Sequence, residues 1–163
     1  DILAAHLADA VAKGARIHTG GQVERHGGGL WLRPTVVTGV THDMLLMTEE
    51  TFGPIIPVLG YRTVEEAIGL ANDSQYGLSA AVIGDEASAL AVAHQLAVGA
   101  VSINDAALTT EVFDAEKNPF NLSGLGASRM GPSGLMRFLR KRALMIQHAP
   151  PKDMTSLEEA SAS

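Results

Sequence analysis

Cysteine is absent from the 163-residue sequence, which excludes disulfide bonds, thiolate metal sites and a thiol nucleophile within this chain. Positive charge is also scarce, because 12 lysines and arginines stand against 18 acidic residues and leave a formal net charge of −6. That balance argues against a nucleic acid or an anionic membrane as a partner. Long apolar runs and the layout of a signal peptide are lacking as well. We therefore expect a soluble, cytoplasmic protein.

Metal-binding patterns are missing too. The six histidines stand apart in the sequence, without a pair at helical spacing and without clustered carboxylates nearby. The sequence therefore predicts no metal site. Hydrophobic residues make up 46% of the chain, which is enough for one globular domain with its own core.

Strand and helix patterns alternate in the middle of the chain. Short apolar runs at 55–61, 78–83 and 100–103 favour buried strands. Between them lie two stretches with helical spacing, one opened by a capping box at Thr63 and the other by Asp85. The connections are short enough for right-handed crossovers. The pattern predicts an α/β fold, a mainly parallel open sheet with flanking helices.

Both ends of the chain add elements to this centre. The amino end predicts a helix that begins at Asp1 and ends at Gly14. Three short strands follow, at 15–18, 30–32 and 35–37. Near the carboxyl end, apolar residues predict a short helix after Pro132 and a late strand over 143–148. The composition of the tail, 150–163, predicts disorder.

The segment from Thr48 to Pro54 combines side chains that suit ligand binding. Two adjacent carboxylates, an aromatic ring and a Gly-Pro turn stand directly before the buried strand. A carboxylate there can accept hydrogen bonds from a sugar diol while the ring of Phe52 packs beside a flat ligand. The alternative is a solvated acidic loop with Phe52 in the core. The segment alone leaves both interpretations open.

The hexapeptide from Glu49 to Pro54 resembles the Glu-Glu-x-Phe-Gly-Pro signature of NAD(P)-dependent aldehyde dehydrogenases. Other stretches resemble that family in the same order along residues 2–149. They include Lys13-Gly14-Ala15, Arg33-Pro34-Thr35-Val36, Ala71-Asn72, Tyr76-Gly77-Leu78, Gly99-Ala100-Val101 and Pro119-Phe120. The resemblance implies an incomplete aldehyde dehydrogenase catalytic domain.

The resemblance also implies roles for four residues. In the family, the second glutamate of the signature hydrogen-bonds the nicotinamide ribose and the phenylalanine flanks the nicotinamide, which implies that Glu50 and Phe52 bind NAD or NADP. An asparagine that ends a strand and the phenylalanine of the Pro-Phe pair lie near the family's substrate tunnel, which implies the same for Asn104 and Phe120. The glycine-rich stretch after Phe120 lacks the family's lysine and Arg-Glu pair. Because of this departure, the resemblance does not identify the aldehyde substrate.

The same resemblance divides the chain into three parts. It implies a partial catalytic domain over 1–142, an oligomerisation strand over 143–149 and a disordered tail over 150–163. An apolar strand directly before the tail suits pairing along the edge of a sheet. We therefore expect a homo-oligomer.

The family's reaction needs groups that this sequence does not contain. A thiolate attacks the aldehyde, hydride passes to the nicotinamide, and a thioester is hydrolysed. We expect a carboxyl-terminal portion of such an enzyme, which by itself binds no NAD or NADP and oxidises no aldehyde. Two alternatives remain open: a non-enzymatic oligomerisation or interaction module derived from the family, and a small-ligand binder that uses Glu50 and Phe52.

Overall fold

The computed structural model describes residues 2–126 and 130–148. The helices are α1 (Ile2–Ala12), α2 (Leu45–Thr48), α3 (Val64–Asn72), α4 (Glu86–Ala93), α5 (Leu108–Glu111) and α6 (Gly131–Met136). The strands are β1 (Arg16–Thr19), β2 (Val23–His26), β3 (Gly29–Leu32), β4 (Thr35–Thr38), β5 (Ile55–Val58), β6 (Tyr76–Gly77), β7 (Ala80–Val82), β8 (Val101–Ile103) and β9 (Phe120–Asn121).

Three helices follow the local signals in the sequence. The Thr63 hydroxyl accepts a hydrogen bond from the Glu66 amide at 3.2 Å and caps α3. The Asp85 carboxylate accepts one from the Ser88 amide at 3.1 Å and caps α4. Just beyond the end of α1, Gly14 has a φ of 98°, a backbone conformation that favours glycine. The predicted starts of α3 and α4 and the predicted end of α1 are confirmed.

The described strands form one three-stranded sheet and three two-stranded pairs. In the larger sheet the central strand, β4, is antiparallel to β1 and parallel to β5. The strands β7 and β8 form a parallel pair, whereas β2–β3 and β6–β9 are antiparallel. The predicted α/β class with flanking helices is confirmed. The three-stranded sheet is mixed. The sequence predicted β5, β7 and β8 in one sheet, but β5 lies in a different sheet from the other two.

The core joins α1 to the three-stranded sheet and to the chain around α2. It contains Leu7 and Ala10 of α1, Val37 of β4 and Ile55 of β5. Met44, directly before α2, has no exposed surface and is among the largest fully buried side chains. Because the core holds both α2 and β5, the segment between them is fixed at its two ends.

The late strand predicted over 143–148 is not present in this chain. Residues 141–148 carry no regular secondary structure, and no described strand forms a ladder with them. The side chains of Leu144, Met145 and Ile146 are 77%, 91% and 77% exposed. A strand needs a neighbour to satisfy its backbone hydrogen bonds. Pairing with a second subunit and the domain boundaries at 142 and 149 stay predictions; residue 149 and the tail lie outside the described residues.

Among the described helices, none has the length and apolar character needed to cross a membrane. The described residues also contain no group of three or more histidine, aspartate or glutamate side chains placed to hold a metal ion.

Candidate functional site

The segment from Glu49 to Pro54 is a short loop between α2 and β5. At its start, the Glu49 amide donates to the Leu45 carbonyl at 3.0 Å and closes α2. At its end, the Pro54 carbonyl accepts from the Thr35 amide at 2.8 Å, where β4 begins. Inside it, the Gly53 amide donates to the Thr51 carbonyl at 3.0 Å. Backbone hydrogen bonds thus fix both ends of the loop and the turn at Gly53.

A buried histidine of α1 anchors the middle of this loop. Nδ1 of His6 lies 2.9 Å from Oγ1 of Thr51, and His6 is only 7% exposed. The same helix also crowds Gly53, because a Cβ at that position would lie 2.5 Å from Cδ1 of Leu3. A side chain at Gly53 would require the end of the Leu3 side chain to shift.

Between these anchors the loop presents Glu50 and Phe52 to solvent. Glu50 is exposed, and the Phe52 residue is 91% exposed. The interpretation of Phe52 as a core residue is therefore wrong. Burying a phenylalanine side chain contributes about 1.5–3 kcal/mol. Phe52 does not make that contribution in this chain, although the residues on both sides of it are held in place.

A carboxylate of α1 also fixes the helix that leads into the loop. Oδ2 of Asp9 accepts a hydrogen bond from the Leu45 amide at 2.9 Å, at the first residue of α2. Met44, at the N-cap position, makes no side-chain cap, so Asp9 satisfies that amide from a different helix. Lys13 lies 3.0 Å from the other oxygen, Oδ1. The Leu45 amide and, next, Lys13 lower the pKa of Asp9 below its ordinary value of 3.8.

This lowered pKa predicts how stability depends on pH. A carboxylate with a depressed native pKa stabilises the fold above its unfolded-state pKa and loses that contribution as the pH falls through the native pKa. We expect Asp9→Asn to lower the melting temperature at pH 7 and the difference from the unmodified chain to shrink below about pH 4. Glu111→Gln, at the end of α5, is the matched control. A difference for Asp9→Asn that stays constant from pH 7 to pH 3 would contradict the assignment.

A polar cavity of about 340 Å³ adjoins the loop. It is lined by Thr48, Glu49, Asn72, Asp73, Ser74 and Gln75. The side chain of Asn72 fixes one wall, because its Nδ2 donates to the Gln95 carbonyl and its Oδ1 accepts from the Ala97 amide, both at 2.8 Å. The cavity thus connects the signature loop with the end of α3 and the start of β6.

Asn104 directly follows β8, and its side chain stabilises the turn that follows β7. Its backbone has a φ of 59°, and its amide donates to the Val82 carbonyl at 2.9 Å. Its Oδ1 accepts a hydrogen bond from the Gly84 amide at 2.8 Å. The exposed Asn104 side chain therefore links the ends of the parallel strands β7 and β8.

Phe120 lies on β9, opposite Gly77 of β6. A Cβ at Gly77 would lie 2.8 Å from Cβ of Phe120, so the two strands approach as closely as they do only because position 77 is glycine. The hydroxyl of Ser123 accepts a hydrogen bond from the Gly77 amide at 2.9 Å. Phe120 itself is 45% exposed.

The structure brings two of the four predicted site residues together. Glu50 and Phe52 share one anchored loop, whereas Asn104 and Phe120 lie on separate elements. The polar cavity is lined by none of these four residues, whereas the adjacent Glu49 does line it. The predicted roles of these residues stay predictions.

Sequence reasoning missed two residues that position the loop, His6 and Asp9. A signal existed for His6, which lies three positions after Leu3 and four before Ala10 and so shares their helical face. A polar side chain on an apolar face needs a buried partner. Nothing local indicated that the partner would be Thr51, 45 residues away.

Comparison with known proteins connects this arrangement to one family. The model of the Aldehyde dehydrogenase family matches residues 1–144. The mitochondrial succinate-semialdehyde dehydrogenase of Rattus norvegicus is 43% identical over 106 residues, which are 64% of this chain and 20% of that protein.

Solved structures give the same result in three dimensions. The protein from Anabaena variabilis named Putative Aldehyde Dehydrogenase PutA is 60% identical with a TM-score of 0.85, over 94% of this chain and 33% of that one. The betaine aldehyde dehydrogenase of Staphylococcus aureus, in complex with NAD+, is 36% identical with a TM-score of 0.74, over 83% of this chain and 27% of that one. The chain thus spans between a fifth and a third of the length of these relatives. By its sequence and by its fold, the chain belongs to the aldehyde dehydrogenase family.

Proposed function

We propose that this chain forms the nicotinamide side of an active site that oxidises an aldehyde to a carboxylic acid with NAD or NADP. The exposure of Phe52 on an otherwise anchored loop carries the proposal. The 91% exposed ring is available to cover a flat ring such as nicotinamide, and the carboxylate of Glu50 is available to accept hydrogen bonds from the ribose hydroxyls. The structure of a family member with NAD+ supports the choice of cofactor.

The remaining chemistry belongs to groups that this chain does not hold. Oxidation of an aldehyde by hydride transfer requires a tetrahedral adduct, and in this family's reaction a thiolate forms it. The sequence contains no cysteine. Our proposal is therefore that the 163 residues position the cofactor within a larger active site, in the cytoplasm, and that they neither hold the cofactor nor oxidise aldehydes alone.

A graft tests this function. The matched third of the Anabaena protein is replaced by this chain, and the aldehyde-dependent reduction of NAD+ and NADP+ is measured with a panel of aldehydes. The unmodified Anabaena protein is the control for the panel. We expect the graft to oxidise at least one aldehyde that the control oxidises. A folded graft that forms no reduced nicotinamide with any of those aldehydes would contradict the proposal.

A second candidate function is a self-associating module without catalysis. It is favoured by the exposed run from Leu144 to Ile146, which no described strand covers. Such a run is suited to pairing with the same segment of a second copy. A stable dimer in sedimentation analysis, together with an inactive graft, would favour this candidate over the first.

A further inference from the structure

We propose that this chain selects an uncharged, apolar aldehyde as substrate and disfavours an aldehyde that also carries a carboxylate. The inference rests on the proposed function and names the substrate class of the same active site. It concerns the segment over 105–119, which joins the two residues predicted near the substrate tunnel, Asn104 and Phe120. We call it the tunnel segment. Because both of its ends adjoin predicted tunnel residues, its side chains contact the part of the substrate behind the aldehyde carbon.

The tunnel segment is fixed against the start of α6. The Phe113 carbonyl accepts a hydrogen bond from the Gly131 amide at 2.8 Å. The Glu116 carboxylate accepts two from Ser133, one from the amide at 2.9 Å and one from the hydroxyl at 2.7 Å. The Ser133 hydroxyl and, next, the Ser133 amide lower the pKa of Glu116 below its ordinary value of 4.5. The other side chains of the segment thus project from an anchored backbone.

Large apolar side chains of the tunnel segment are exposed. Phe113 is 72% exposed, Val112 43% and Leu108 38%. Phe120, directly after the segment, is 45% exposed. Contact with a hydrocarbon removes such surface from water, which is favourable, whereas a charged group would leave it without that gain. These side chains therefore favour a substrate with an apolar body.

The charges of the tunnel segment oppose an anionic substrate. The segment contains four acidic residues and one lysine, with no arginine or histidine. The ammonium group of Lys117 already donates to the Thr109 carbonyl. Glu111 and Asp114 are exposed on either side of Phe113. A substrate carboxylate would be repelled by these like charges and would lose water without gaining a cationic partner in exchange.

Two aldehydes of similar size separate the two substrate classes. The mitochondrial protein of Rattus norvegicus is named for succinate semialdehyde, which carries a carboxylate at its far end. In 4-methylpentanal an isopropyl group takes the place of that carboxylate. The reaction is the same for both: the aldehyde, NAD+ and water give a new carboxylate, NADH and two protons. The hydride leaves the aldehyde carbon, and the added oxygen comes from water.

The graft of this chain into the Anabaena protein is assayed with both aldehydes. We expect kcat/KM for 4-methylpentanal to exceed that for succinate semialdehyde at least about tenfold. Part of this difference is electrostatic repulsion, which salt screens. The ratio should therefore fall as sodium chloride is raised from about 0.02 M to about 0.5 M.

Three variants of the graft assign the selection to the tunnel segment. Glu111→Lys should lower the KM for succinate semialdehyde about tenfold and change that for 4-methylpentanal less than about threefold. Phe113→Ala should raise the KM for 4-methylpentanal about tenfold, because apolar contact is lost. Phe138→Ala is the matched control. Phe138 is 81% exposed and lies outside the tunnel segment, so its replacement should change neither KM by more than about twofold.

The outcomes separate this inference from the proposed function. An active graft whose kcat/KM for succinate semialdehyde equals or exceeds that for 4-methylpentanal would overturn the inference and leave the proposed function standing. The same holds for an active graft in which Phe113→Ala behaves like Phe138→Ala. A folded graft that forms no NADH with any aldehyde would contradict the proposed function and this inference together.

Discussion

The purified 163-residue chain, given an aldehyde and NAD+ or NADP+, is expected to form no reduced nicotinamide. Without cysteine the chain cannot form the thiohemiacetal from which hydride leaves. Serine and threonine hydroxyls are weak nucleophiles unless a neighbouring base activates them. The signature loop supplies exposed carboxylates and a ring. In the part of the chain that the structure describes, the hydroxyl of this loop that lies beside a base is that of Thr51, which contacts the buried His6.

The absorbance of reduced nicotinamide measures this outcome. The graft of the chain into the Anabaena protein serves as the active reference in the same assay. Reduced nicotinamide that forms in proportion to the concentration of the isolated chain, and only when aldehyde is present, would contradict the expectation. It would also show that the proposed division of the active site is wrong.

Replacing Met44 with alanine is expected to lower the free energy of unfolding by about 2–5 kcal/mol. Met44 has no exposed surface and lies in the cluster that joins α1, α2 and the three-stranded sheet. The truncation removes buried apolar surface and leaves a cavity in the part of the core that supports the signature loop. Its sulfur also accepts a hydrogen bond from the Thr41 amide at 3.4 Å.

A second methionine in the chain provides the matched control. Met136, at the end of α6, is 49% exposed, so Met136→Ala should change the free energy of unfolding by less than about 1 kcal/mol. Unfolding by urea, followed by circular dichroism, measures both variants. Equal losses for the two substitutions would show that the cluster around Met44 is not the principal core.

Local signals in the sequence were sufficient for α1, α3, α4 and α6, whereas α2 and α5 were not predicted. The caps of α3 and α4 depend on side chains only three residues from the amides they satisfy, so the sequence contains all that is needed. The hairpin β2–β3 was missed although its signal was present. Gly27 and Gly28 both have positive φ, as the two-residue turn between these strands requires.

Pairing between distant segments could not be predicted in the same way. Tyr76 and Gly77 pair with Asn121 and Phe120, and nothing near either strand indicates the partner. The strand predicted over 143–148 is absent for a related reason, because an apolar run gives a tendency to pair but does not supply a neighbouring strand. The contact between His6 and Thr51 is likewise created by the fold, which brings α1 against the loop.

The proposed role of Glu50 is tested by comparing the two adjacent glutamates of the signature loop, Glu49 and Glu50, in the graft. Glu50→Gln should raise the KM for the nicotinamide cofactor about ten- to hundredfold, because charge-assisted hydrogen bonds to the ribose hydroxyls are lost. Glu49→Gln, one residue earlier and equally able to carry charge, should change it less than about threefold. If both substitutions raise the KM equally, or if Glu50→Gln leaves it unchanged, Glu50 does not bind the cofactor and the account is wrong.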